Sequence, residues 1–189
     1  MTELVQLIAR DDTRRALLLE RCRPGTELGD VPEVVCALLP RLWHAPPEPH
    51  SFRTLAEQAE EWAAQLGGRT NLERSLIELA LDVFRSVDPR ARGLANQDLH
   101  QWNVLKAERE PWLVIDPKPL VGERELNGVG LLRNAVWTGG AVAVRRWLDE
   151  LTGLGLDRTR LRAWGVAHAV AWSADDEALL HAAQVIRDA

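Results

Sequence analysis

The stretch "NQDLHQWNVLKAEREPWLVIDPKPL", Asn96 to Leu120, decides how this chain is read. Asp98 stands five residues before Asn103, and Asp116 comes thirteen residues after Asn103. "VLKA" and "WLVIDP" are short apolar runs joined by the charged turn "EREP", which predicts a two-strand hairpin. A hairpin of that length returns the carboxylate of Asp116 to the side of Asn103. Magnesium prefers hard oxygen ligands plus water, and these two residues offer one amide and one carboxylate. Asp98 has the chemistry to orient an acceptor hydroxyl or take its proton. The spacing alone is weak evidence. Asp and Asn are common in turns, and Asp before Pro often ends a strand. What strengthens the reading is the place of the motif, between a helical body and a hairpin that ends in Asp.

Upstream, "LVQLIAR" (4–10) and "ALLLER" (16–21) read as two strands around a "DDTR" turn. "RPGTELGD" breaks the chain. A helix is expected over about 30–44, with Asp30 as its cap and Pro32 in its first turn. Thr54 opens a second helix, closed by Gly67 and Gly68. A third is expected from Asn71 to Asp88, with Leu76, Leu79 and Val83 on its buried stripe. "LANQDLHQWN" reads as irregular. Beyond Gly128, helices are expected over about 129–136, 141–153, 158–173 and 175–187, with Asp157 and Ser173 as caps and Asp175, Asp176 and Glu177 favouring the start of the last. The fold class is therefore α+β, mainly helical.

Composition narrows the function. The 189 residues are 46% hydrophobic, enough to build a core without a membrane-length apolar run. A soluble, cytoplasmic protein is the expectation. The net charge of −5 speaks against nucleic acid and is compatible with a small cationic partner. Cys22 and Cys36 form neither a metal-type pair nor a disulfide framework. Only two lysines occur, Lys106 and Lys118, beside eight tryptophans and no tyrosine. His168 and His181 lack ligand-spaced partners and read as core or surface residues. Trp137, Trp147, Trp164 and Trp172 could stack on a sugar ring but at helical positions read as core, and Trp102 reads as a hairpin cap or a pocket wall. Glu57, Glu60 and Glu61 could attract a cationic substrate but read as a solvated helix face.

The segment "NQDLHQWNVLKAEREPWLVIDPKPLVGE" resembles the catalytic segment of the aminoglycoside and hydroxyurea resistance kinases of the streptomycin 6-phosphotransferase type. The matching elements are "DLHQWNVL", "EREPWLVIDPKPLVGE" and "GLLRN", in order and at matching separations. The resemblance implies the carboxy-terminal lobe of a protein-kinase-like fold over residues 23–189. Residues 1–22 would be remnant strands and hinge of the amino lobe. It implies ATP and Mg2+ as cofactors. Asp98 would be the catalytic aspartate, Asn103 and Asp116 would hold magnesium, and backbone groups at Glu20, Arg21 and Cys22 would face the adenine. The helices after 129 would wall the substrate pocket. His100 would hydrogen-bond within the loop.

Three departures from the family pattern accompany the match. Asn96 stands where a bracing His is usual, and Leu126 and Asn127 stand where an Asp is usual, so weaker bracing of the loop is expected. Residues 1–22 contain neither glycine nor lysine, so no phosphate-covering loop and no strand lysine precede the hinge. "GVGLLR" (128–133) is expected to start a helix. The reading is an amino-terminally truncated, impaired phosphotransferase acting on a hydroxyl of streptomycin or a related compound. The other reading is a non-catalytic, degenerate kinase lobe serving as a binding or interaction module. Loss of sheet neighbours would leave the first strands with an exposed edge open to self-association.

Overall fold

The computed structural model describes residues 2–69, 72–174 and 176–189. Asn71 and Asp175, expected at helix starts, lie outside the described residues. The architecture is α+β and mainly helical. Strands β1 (Leu7–Asp11) and β2 (Ala16–Leu19) precede helices α1 (Pro32–Leu42), α2 (Leu55–Leu66) and α3 (Arg74–Arg85). Strands β3 (Gly93–Asn96), β4 (Val104–Lys106), β5 (Trp112–Val114) and β6 (Pro119–Gly122) occupy the middle. Helices α4 (Val129–Gly153), α5 (Arg158–Trp172) and α6 (Glu177–Asp188) complete the chain.

Local chemistry explains most boundaries. Thr54 caps α2 in a reciprocal box: its hydroxyl accepts from the Glu57 N–H at 3.2 Å, and its own N–H donates to the Glu57 carboxylate at 2.8 Å. Asp157 caps α5 by accepting from the Arg160 N–H at 2.7 Å. The two helices expected over 129–136 and 141–153 are one element broken at Gly140, whose φ of 60° only glycine adopts freely. Two caps differ from expectation. α1 starts on Val31 and Pro32 without a side-chain cap, and Asp30 pairs with Arg146 instead, at 3.2 Å. α6 is capped by Asp176; Ser173 closes α5, its hydroxyl donating to the Val170 carbonyl.

The strands form three two-stranded antiparallel sheets. The hairpin read from "VLKA" and "WLVIDP" is β4–β5, with Val104 opposite Val114. The segment expected to be irregular is in part a strand: β3 pairs with β6, Asn96 opposite Pro119. Four residues show too little alternation to reveal a strand, and the partner lies beyond the hairpin. The β1–β2 sheet leaves Leu7, Ile8, Leu17, Leu18 and Leu19 exposed.

Helices α2 to α6 pack around Trp147 and Trp164, both essentially free of solvent contact. Gly130 brings α4 onto the loop after β3, because a Cβ there would collide with the Leu99 carbonyl. Glu123 ties this body to the sheets. Its buried carboxylate accepts from Arg160 at 2.6 and 2.7 Å, from the Trp164 indole at 2.8 Å and from the Asp88 N–H at 2.8 Å. Burial alone would raise its pKa, but the bonds from Arg160, Trp164 and Asp88 outweigh it and hold the pKa below the usual range.

Removing one partner of such a buried pair costs about 3–5 kcal/mol. Glu123→Ala is expected to lose about 3 kcal/mol, near the low end, since Arg160 is 22% exposed and water can reach it. The depressed pKa makes this stabilisation full above the unfolded-state Glu value of about 4.3 and lost as pH falls through the folded-state value. Urea melts of wild type and variant should therefore separate at pH 7 and draw together as pH falls below the usual glutamate range.

Candidate active site

Three segments meet at Asp98: the turn after β3, the end of the β4–β5 hairpin, and the buried first turns of α4. Asn96, the last residue of β3, organises the turn. Its amide oxygen accepts the Asp98 N–H at 3.1 Å and the Lys118 N–H at 3.0 Å. Its own N–H donates to the Asn127 amide oxygen at 2.9 Å, and Asn127 in turn donates to the Arg124 carbonyl at 2.8 Å. Both asparagines thus brace the loop through amide oxygens, which accept backbone N–H groups as a carboxylate would.

Asp98 is buried, and both of its carboxylate oxygens are engaged by cations. Oδ1 accepts from Arg133 Nη2 at 2.8 Å, and Oδ2 accepts from Lys118 Nζ. His100 Nε2 lies 3.6 Å from Oδ1. Burial would raise the Asp98 pKa, yet the bonds from Lys118 and Arg133 prevail and lower it. Asp98 is thereby held ionised. Burial lowers the pKa of His100 against the opposing pull of Asp98, which favours a neutral imidazole. Arg133 Cζ and Lys118 Nζ lie over the Trp172 ring, at 5.1 and 5.8 Å from its centre.

Asn103 and Asp116 adjoin. The Ile115 N–H donates to the Asn103 carbonyl at 2.9 Å, which sets the end of β5 beside the short turn 101–103. Asn103 Nδ2 donates to the Asp98 carbonyl at 3.1 Å, leaving its Oδ1 available as a ligand. Asp116 sits at φ 43°, a left-handed conformation that Asp tolerates better than most residues. Its carboxylate is 69% exposed and meets Lys118 Nζ at 3.4 Å. One amide and one carboxylate oxygen suit magnesium, which usually keeps waters and substrate phosphates in its other positions. Among the described residues no cluster of three His, Cys, Asp or Glu offers a fuller protein cage.

Buried polar atoms without partners gather here. Gln97 Oε1, His100 Nδ1, Gln101 Oε1, Arg133 Nη1 and both amide atoms of Asn134 belong to the loop or to the start of α4. Such atoms are rare in folded proteins, and bound water or a ligand can satisfy them.

Glu20, Arg21 and Cys22 lie apart from this cluster. The Glu20 carboxylate is clamped by Arg109 at 2.8 and 2.9 Å and accepts the Gln6 N–H at 3.0 Å. Arg109 also donates to the Thr2 and Leu4 carbonyls, fastening the β1–β2 region to the hairpin turn. Past Cys22 the chain runs beside β4, the Gly25 N–H donating to the Lys106 carbonyl at 3.0 Å. Residues 20–22 therefore lead onto the hairpin that carries Asn103 and Asp116.

The family model for aminoglycoside/hydroxyurea antibiotic resistance kinases matches residues 3–186. The chain belongs to the aminoglycoside/hydroxyurea antibiotic resistance kinase family. A hydroxyurea phosphotransferase of Kitasatospora aureofaciens is 37% identical over 91% of this chain and 55% of its own length. Streptomycin 6-kinases of Streptomyces griseus and Streptomyces glaucescens are 34% and 33% identical, over 92% and 85% of this chain and 63% and 58% of their own. The chain thus spans between about half and two thirds of the length of these relatives. No helix among the described residues is long and apolar enough to cross a membrane.

Within this family member, sequence reasoning did not single out Lys118 or Arg133 for the site. Arg133 had one signal: it is the lone charge in the apolar run "VGLLRNAVW", and a buried charge needs a partner. Trp147 and Trp164 are core, as expected, and His168 is buried against Trp62 and Trp172. Trp137 is not core. It is 45% exposed and stacks with Trp102, itself 44% exposed, beside His100.

Proposed function

We propose that this chain carries the catalytic base and metal ligands of an ATP-dependent phosphotransferase, and that its acceptor is a hydroxyl of streptomycin or a related small molecule. The observation that carries this reading is a buried Asp98 whose carbonyl holds the Asn103 amide, with the end of β5, and so Asp116, fastened beside Asn103 by the Ile115 N–H bond. Asp98 would orient the acceptor hydroxyl and receive its proton. Asn103 and Asp116 would hold magnesium, which when bound neutralises charge on the nucleotide phosphates. Arg133 would fix the Asp98 carboxylate in place. Residues 23–189 would form the carboxy-terminal lobe of a kinase-like fold, with residues 1–22 as strands and hinge and the backbone of 20–22 facing adenine. A soluble, cytoplasmic setting fits this chemistry.

Transfer by this chain alone is proposed to be slow, because residues 1–22 offer no glycine loop and no lysine to the phosphates. The test is transfer of label from [γ-32P]ATP to streptomycin and to hydroxyurea with magnesium. Label on either acceptor above a chelator control supports the reading. A second reading, a non-catalytic binding module, draws support from the Lys118 ammonium seated on Asp98. Magnesium-ATP binding without any transfer favours it.

The exposed leucines and isoleucine of β1 and β2 also suggest pairing of two copies along that sheet. Light scattering at rising concentration is expected to show dimers, and Leu17→Lys to reduce them. A strictly monomeric profile contradicts the pairing.

A further inference from the structure

We infer that Lys118 is the residue of this chain that binds the terminal phosphoryl group of the nucleotide, and that it leaves Asp98 to do so. The inference rests on the phosphotransferase reading above. Asp98 is buried with a cation on each carboxylate oxygen, so an acceptor hydroxyl gains room at the carboxylate when one of those cations moves aside, although each oxygen keeps a second lone pair. Arg133 is not the partner to release, because its side chain is 7% exposed and is packed in α4 over Trp172. Lys118 is: its side chain is 43% exposed, and its ammonium ends a flexible four-carbon stem. Its backbone stays anchored meanwhile, the N–H on Asn96 Oδ1 at 3.0 Å and the carbonyl accepting the Gln97 N–H at 3.3 Å.

The position of the ammonium gives it a destination. Nζ contacts the base, Asp98, and also lies 3.4 Å from Asp116 Oδ2 on the metal side. A phosphoryl group passing from nucleotide to acceptor must cross between those two carboxylates. In the transfer, the bond from the γ-phosphorus to the β,γ-bridging oxygen breaks as the acceptor oxygen bonds to phosphorus. ADP keeps the electron pair, the hydroxyl proton passes to Asp98, and Lys118 remains protonated. The ammonium in this gap can follow the charge on the equatorial oxygens, where electrostatic stabilisation does most of the work. Of the two lysines of this chain, Lys106 lies exposed at the far end of β4, which leaves Lys118 as the one placed to do so.

Having only two lysines makes the test direct. Protein labelled with [13C]lysine gives two Cε resonances, assigned with Lys106→Arg. Magnesium-ADP and the magnesium complex of β,γ-imido-ATP are titrated in turn. The Lys118 resonance is expected to move with the imido-ATP complex and to stay with ADP, while Lys106 stays with both. Calorimetry on Lys118→Ala should show about tenfold weaker binding of the imido-ATP complex and unchanged binding of ADP. A Lys118 signal that answers both nucleotides equally, or neither while tryptophan indole signals report binding, overturns the inference and leaves the phosphotransferase reading standing. Absence of any response to either nucleotide overturns both.

Discussion

Asp98→Asn is expected to lower magnesium-dependent phosphoryl transfer about 10²- to 10⁴-fold, the usual contribution of a positioned acid or base. The variant keeps an oxygen for Arg133 or Lys118 but removes the carboxylate proposed to take the acceptor proton. It leaves Asn103 and Asp116 unchanged, so magnesium-ATP affinity should stay within about threefold, well under one tenfold step of 1.4 kcal/mol. The rate should fall through kcat rather than through the nucleotide KM. Radiolabel transfer at saturating and limiting ATP measures both. A variant that transfers at the wild-type rate removes Asp98 from the role of base.

The second large effect concerns stability. Arg133→Met removes the buried partner of Asp98 Oδ1 and is expected to destabilise the protein by about 3 kcal/mol, within the range for breaking a buried ion pair. Lys118 remains on Oδ2 and keeps the loss toward the lower end of that range. The pairing predicts the sign of a double-variant result. With Asp98→Asn in the same chain, the uncompensated carboxylate is gone, so Asp98→Asn/Arg133→Met should melt at higher urea than Arg133→Met alone. Additive losses in the double variant would mean that the two side chains are not coupled.

These residues also show how far the sequence reaches. The helices were legible because their stripes and caps are local: Thr54 with Glu57, Asp157 before α5, and the glycine that divides α4. The hairpin was legible because two apolar runs flank a charged turn. The β3–β6 pair was not, because its register is set by contacts between segments more than twenty residues apart and its strands have four residues each. The same reason hid Lys118 and Arg133. Asp98, Asn103 and Asp116 carry a spacing that can be read along the chain, whereas the cations that complete the cluster come from β6's approach and from α4. Only the fold brings them to Asp98. Asn96 and Asn127 illustrate the converse. Their identity suggested weak bracing, but backbone N–H donors are satisfied by any well-placed oxygen.

The central claim is that the loop and the hairpin end form one magnesium–nucleotide site. Calorimetric titration of magnesium-ATP into the wild type and into Asp116→Ala tests it most directly. Asp116 is exposed and carries no buried contact, so the variant should fold, losing only about 1 kcal/mol for alanine in the left-handed conformation. The account predicts measurable binding by the wild type that depends on magnesium, and at least tenfold weaker binding by Asp116→Ala. Equal binding by the two proteins would contradict it.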